Sequence, residues 1–93
     1  MVVGVITWEL ILSGCQSLKD KRRIVKSLKD RLHQRFNVSA AEVDHQDLWQ
    51  RAALAASVVS PDRRHAEEVL TACDRLVQSE PLAHIAQSEI AYL

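Results

Sequence analysis

The chain has 93 residues, 47% of them hydrophobic, with twelve Lys and Arg balanced by twelve Asp and Glu. Two Gly, two Pro and the lack of any repeat or low-complexity tract exclude a repeat array or linker-joined domains, so residues 1–93 are expected to form one small domain with a thin core. The neutral total hides a polarised molecule: residues 17–36 hold eight cations against two acids, a local charge of +6, which leaves four against ten, or −6, elsewhere.

Residues 2–12 alternate. Ile6, Trp8, Leu10 and Leu12 point one way, and Val3, Val5, Thr7, Glu9 and Ile11 the other, which predicts a strand with one strongly apolar face. The segment is interrupted by Glu9, has no basic region before it or cleavage pattern after it, and is too short to span a bilayer. A cytoplasmic protein with no targeting segment and no membrane partner is expected. After a loop at residues 13–16, Ser17 reads as a helix N-cap with Asp20 as its capping-box partner. Leu18, Ile24, Val25, Leu28, Leu32 and Phe36 then fall on one side of an amphipathic helix that ends at Asn37.

Residues 38–44 and 49–59 read as strands joined near His45-Gln46-Asp47. Ser60-Pro61 predicts a helix start, with Ser as N-cap and Pro at the first helical position. The second helix would bury Ala66, Val69, Leu70, Cys73, Leu76 and Val77 and stop at Glu80-Pro81. Residues 82–93 form a last strand, with Ile85 and Leu93 on one face and Ile90 and Tyr92 on the other. The order β-α-β-β-α-β predicts an α+β, ferredoxin-like fold: a four-stranded antiparallel sheet with both helices on one face.

The basic helix is the main candidate for function. Lys19, Arg22, Arg23, Lys26 and Lys29 project within about 120° of one another on the helical wheel. Cations in a first turn oppose the helix dipole by about 0.3–1 kcal/mol each, and like pairs such as Arg22 and Lys26 add about 0.2–0.5 kcal/mol of repulsion. Asp20 beside Arg23 and Asp30 beside Lys26 offset only part of that. A solvated face is one reading; an anionic partner is the other. With strands one and three taken as parallel neighbours, both helices would leave the same edge of the sheet. Lys19, Lys21, Arg22, Arg23, Lys26 and Lys29 would then join Arg63 and Arg64 in a phosphate platform at two helix N-termini. The turn from Asp44 to Asp47 would form an acidic pole at the opposite edge.

Other constellations carry less. Glu42, Asp44, His45 and Asp47 are close enough in sequence to suggest a metal, but the ligand spacing of a zinc site is missing, and a polar hairpin turn explains them. Cys15 and Cys73 lack paired spacing, so free thiols are expected, Cys73 in the core and Cys15 in a polar loop. His33, His65 and His84 read as surface residues. Trp8 continues the buried alternation, and Trp49 suits either the core or an interface. The outward face of the first strand offers Val3, Val5, Thr7 and Glu9 rather than aromatics, which argues against base stacking on the sheet and for a homodimer through that face. Acylphosphatases share the topology and bind phosphate near the first βα loop, but here that loop is S-G-C-Q-S, without arginine. No Walker loop, G-x-G-x-x-G or Ser/His/Asp order appears, so neither a catalytic residue nor a cofactor is assigned.

Three blocks carry a resemblance: S-L-K-D-K-R-R-I-V-K-S-L-K-D-R-L, then R-F-N-V-S-A-A-E-V-D-H-Q-D-L-W-Q-R-A, then V-V-S-P-D-R-R-H. Together they resemble the YlxP-like family of bacteria, a domain of unknown function, over nearly the full chain. The resemblance implies a ferredoxin-like cytoplasmic protein whose relatives are commonly encoded beside translation-initiation and ribosome-maturation factors, which points to RNA or a ribosomal particle as partner. It supplies no catalytic residues. The expectation is thus a non-enzymatic protein that binds RNA by charge and shape through its basic helix. The alternatives are a homo-oligomeric phosphate- or small-molecule-binding protein, or a protein–protein adaptor.

Overall fold

The first segment's alternation becomes strand β1 (Val2–Ile11), which is followed by α1 (Leu18–Arg35), β2 (Ser39–Asp44), β3 (Arg51–Ser60), α2 (Arg63–Gln78) and β4 (His84–Tyr92). The structure is a computed structural model and describes all residues, Met1–Leu93. The sheet order is β2-β3-β1-β4, and every neighbouring pair is antiparallel. This is the expected ferredoxin-like arrangement.

One face of the sheet makes the core. Ile6, Trp8, Leu10 and Leu12 are no more than 1% exposed, and they pack with Leu54, Ala56 and Val58 of β3. From above, α1 contributes Val25, Leu28 and Leu32, and α2 contributes Ala66, Leu70, Cys73, Leu76 and Val77. Trp8 sets its polar edge against α2, where its indole N–H donates to Asp74 Oδ1 at 2.8 Å. The outward face has no helix over it.

The structure corrects three expectations. The N-cap of α2 is Asp62, whose carboxylate accepts from the His65 N–H at 2.8 Å. Ser60 instead ends β3, buried, and its hydroxyl donates to the Asp62 carbonyl at 2.8 Å. An ionised acceptor at the dipole's positive end makes the better cap, so the helix starts two residues later than Ser60-Pro61 suggests. In β4, Leu10 faces Ile85 and Glu9 faces Gln87, so Ala86 is an unpaired bulge residue. The bulge reverses the side-chain phase and brings Ile85 to the same face as Ile90 and Tyr92. Finally, β1 runs antiparallel to β3, with Val2 opposite Ser60 and Ile11 opposite Arg51. The helices α1 and α2 therefore start at opposite ends of the sheet, separated by the length of β1, about 30 Å.

Candidate functional site

Helix α1 begins where Ser17 Oγ accepts from the Asp20 N–H at 3.1 Å and the Asp20 carboxylate accepts from the Gln16 N–H at 3.2 Å. This is the capping box shifted by one residue. One first-turn N–H is thus taken by its own cap side chain. Asp62 does the same for α2. The other first-turn N–H groups of the two helices lie at opposite ends of the sheet, so they cannot share one phosphate.

The cations of α1 divide into two groups. Lys21 is buried at 1% exposure. It lies on the stripe that carries Val25, Leu28 and Leu32, spaced four, seven and eleven residues on. Its ammonium stands 2.8 Å from Glu42 Oε2 and donates to the His45 carbonyl. Glu42 faces the helices from β2, opposite Leu54. Lys21 therefore joins α1 to the sheet and is removed from the solvent-facing set. Lys19, Arg22, Arg23 and Lys26 are exposed on the side of α1 turned away from the core, and Lys29 is half-buried at the flank of that side. Lys26 pairs with Asp30 at 2.7 Å, and this hydrogen bond holds the Asp30 carboxyl below its usual range. Lys19, Arg22, Arg23 and Lys29 form no ion pair.

Arg63 and Arg64 do not join them. They open α2 at the far end of the sheet, where the Arg63 guanidinium lies 4.3 Å from the centre of the Tyr92 ring and Arg64 pairs with Glu68 at 3.6 Å. The shared platform is thereby corrected: the antiparallel pairing of β1 and β3 separates its two halves. Nor is the acidic turn at the opposite pole. Three hydrogen bonds fasten it beside the start of α1: Lys21 to the His45 carbonyl, Leu12 N–H to the Gln50 carbonyl at 2.9 Å, and Gln50 Nε2 to the Cys15 carbonyl at 3.2 Å.

The acids of this turn are dispersed. A second bulge, at Val43, follows the pair of Glu42 and Leu54 and precedes that of Asp44 and Ala53. Glu42 consequently points to the helices and Asp44 to the open face. His45, with φ of 62°, turns its ring back over β1, where Nε2 lies 3.1 Å from Glu9 Oε2. Arg51 approaches the same carboxylate at 3.4 Å. Glu42 thus faces the helices, Asp44 the open face, and Glu9 meets His45 and Arg51, so the acids do not converge on a common point.

Cys15 is buried rather than loop-exposed. Burial first, and Asp20 second, push its thiol pKa up, against the pull of Lys21. Cys73 is pushed up to about 11 by burial in the core. Neither has the lowered pKa of a reactive thiol. Trp49 is the residue that sequence reasoning left open: it is 51% exposed, beside Leu48 at 46%.

Fold and site together define a small α+β domain of ferredoxin-like topology with a basic helix face. A de novo designed protein with ferredoxin fold, solved by solution NMR, superposes with a TM-score of 0.57 over 97% of this chain and 84% of its own, at 13% identity. At that identity the likeness is one of fold. The sequence profile of the family described as "Protein of unknown function (DUF503)" matches residues 3–90, and the chain belongs to that family. It is 34% identical to the "Uncharacterized protein YlxP" of Bacillus subtilis over 80 residues, 86% of this chain and 87% of that one. No helix is long and apolar enough to cross a membrane.

Proposed function

We propose that the protein binds RNA through the phosphate backbone, using Lys19, Arg22, Arg23, Lys26 and Lys29 of α1. The supporting observation is that four of these cations are exposed on the outward face of one helix with half-buried Lys29 at its flank, and only Lys26 has an acidic partner. Repulsion along such a stripe is relieved when an anionic polymer lies against it and releases its counterions. The stripe runs about 15 Å, ten residues at 1.5 Å each, which spans several successive phosphates. The spread of these cations along the length of one helix favours a polymer over a single phosphate ligand.

The test is fluorescence anisotropy with a labelled hairpin RNA across a salt series. With four to five phosphates engaged, log K should fall against log salt with a slope of about −3 to −4. The double variant Arg22→Glu/Lys26→Glu should lose binding. A flat salt dependence, or equal binding by the variant, overturns the reading.

A further inference from the structure

Resting on the RNA reading, we infer that Trp49 is a stacking site for one unpaired base of the bound RNA. Of four aromatic residues, Trp8 is fully buried, Phe36 packs against the core, and Tyr92 is covered by Arg63. Trp49 alone offers a free ring, in a shallow concavity of about 450 Å³ formed by residues 47–51. The loop that carries it is held by its own bonds. Leu48 N–H donates to the His45 carbonyl at 3.0 Å, and Gln50 bonds to Leu12 and Cys15 on the loop that leads into α1. The loop thus carries Trp49 at the end of the sheet where α1 and its basic stripe begin.

The neighbours of the ring favour a base over a phosphate. Two charged residues line the concavity: Asp47, which is exposed and has no ion pair, and Arg51, whose guanidinium is turned to Glu9 at 3.4 Å. Asp44 lies exposed nearby. Carboxylates repel phosphate but accept hydrogen bonds from the exocyclic amino groups of bases. The phosphates would lie along α1 and the base would turn toward the loop. The open face of the sheet, which carries the bases in RNA-recognition motifs, has no aromatic residue on β1 or β3 for that purpose. Stacking on an aromatic side chain requires an unstacked base, so the partner is an RNA with a single-stranded segment next to its stem.

Trp49 also reports on its own occupancy, because Trp8 is buried and bonded to Asp74. The probes are a blunt RNA hairpin closed by a non-nucleotide linker, so that it offers no unpaired base, and the same hairpin with a 3′ overhang of about five nucleotides. Emission should be quenched by the overhang hairpin and unchanged by the blunt one. Trp49→Ala should weaken the overhang hairpin about tenfold, leave the blunt hairpin unaffected, and keep the wild-type circular dichroism. Trp49→Phe should retain most of the affinity. Equal wild-type affinity for both hairpins, or no effect of Trp49→Ala, overturns the stacking site while the RNA reading stands on Arg22→Glu/Lys26→Glu. Binding of neither hairpin overturns both, and directs the exposed ring to a protein partner.

Discussion

Lys21 shows how one residue changes role between sequence and structure. Its charge suggests solvent, but its position repeats the spacing of Val25, Leu28 and Leu32, and the fold obeys the spacing. An ammonium enclosed in this way needs Glu42, and Glu42 in turn needs Lys21. Removing one partner leaves the other poorly solvated. Lys21→Met should therefore cost about 2–3 kcal/mol in urea unfolding, less than a fully buried pair because the Glu42 side chain is 19% exposed. Adding Glu42→Leu should recover most of the loss. An unchanged Lys21→Met midpoint would deny the pair any structural role. If Lys21 is structural, the folded Lys21→Met protein should also bind RNA like the wild type. Cys73 gives a second test at this scale. The unfolded chain loses the thiol proton near 9.0, whereas the folded protein holds it to about 11. Between those values the unfolded state binds fewer protons, so this contribution to stability is complete below pH 9 and is lost as pH rises toward 11. The urea midpoint should drop more between about pH 8 and about pH 10.5 in the wild type than in Cys73→Ala. Equal drops would show that the thiol is not the titrating group.

At the scale of elements, the packing of α2 onto β1 depends on a missing side chain. A β-carbon at Gly4 would stand 2.9 Å from Leu70 Cδ1 and 3.3 Å from Tyr92 Cε1. Leu70 is fully buried and cannot swing clear. Gly4→Ala should cost about 1–2 kcal/mol by thermal unfolding, and Leu70→Val in the same chain should return part of it. A neutral Gly4→Ala would mean that the helix can move off the strand. Much of this level was legible in advance. The alternation of β1 and the spacing of α1 are strong local signals, and both elements lie where the pattern puts them. What was not legible depends on partners. The bulge at Ala86 is a property of the β1–β4 pair, and no pattern within residues 82–93 reveals the change of phase. The start of α2 turned on a competition between two caps two residues apart, Ser60 and Asp62. The candidate site was half legible for the same reason: the basic stripe is local to one helix, while the supposed joining of two helix starts required the relative direction of β1 and β3.

At the scale of the whole molecule, the basic stripe and the open face of the sheet look in opposite directions, and each is expected to meet a different partner. The open face is divided along its length. Near the start of β1, Val3 lies opposite Val59 and exchanges backbone hydrogen bonds with Leu93, and Val5 lies opposite Ala91. Val59 is 67% exposed and Leu93 83%. At the other end Glu9, His45 and Arg51 satisfy one another. A second copy is the occupant this face suits, because a two-fold axis through the apolar half sets valine against valine and keeps the charged ends apart. The apolar half of the face, strands about 4.8 Å apart over about 15 Å, presents roughly 300 Å² per copy. Two such halves bury about 600 Å², below a standard interface, so only a weak dimer is expected, with Kd above about 100 μM. Sedimentation velocity should show the dimer rising with concentration, and Val59→Lys should keep the protein monomeric without lowering its unfolding temperature, because that side chain is already in water. A wild type that stays monomeric at all concentrations overturns the pairing. If the dimer forms, it leaves both α1 stripes facing outward, so Val59→Lys should weaken binding to a long RNA that reaches two sites while leaving binding to a short hairpin unchanged.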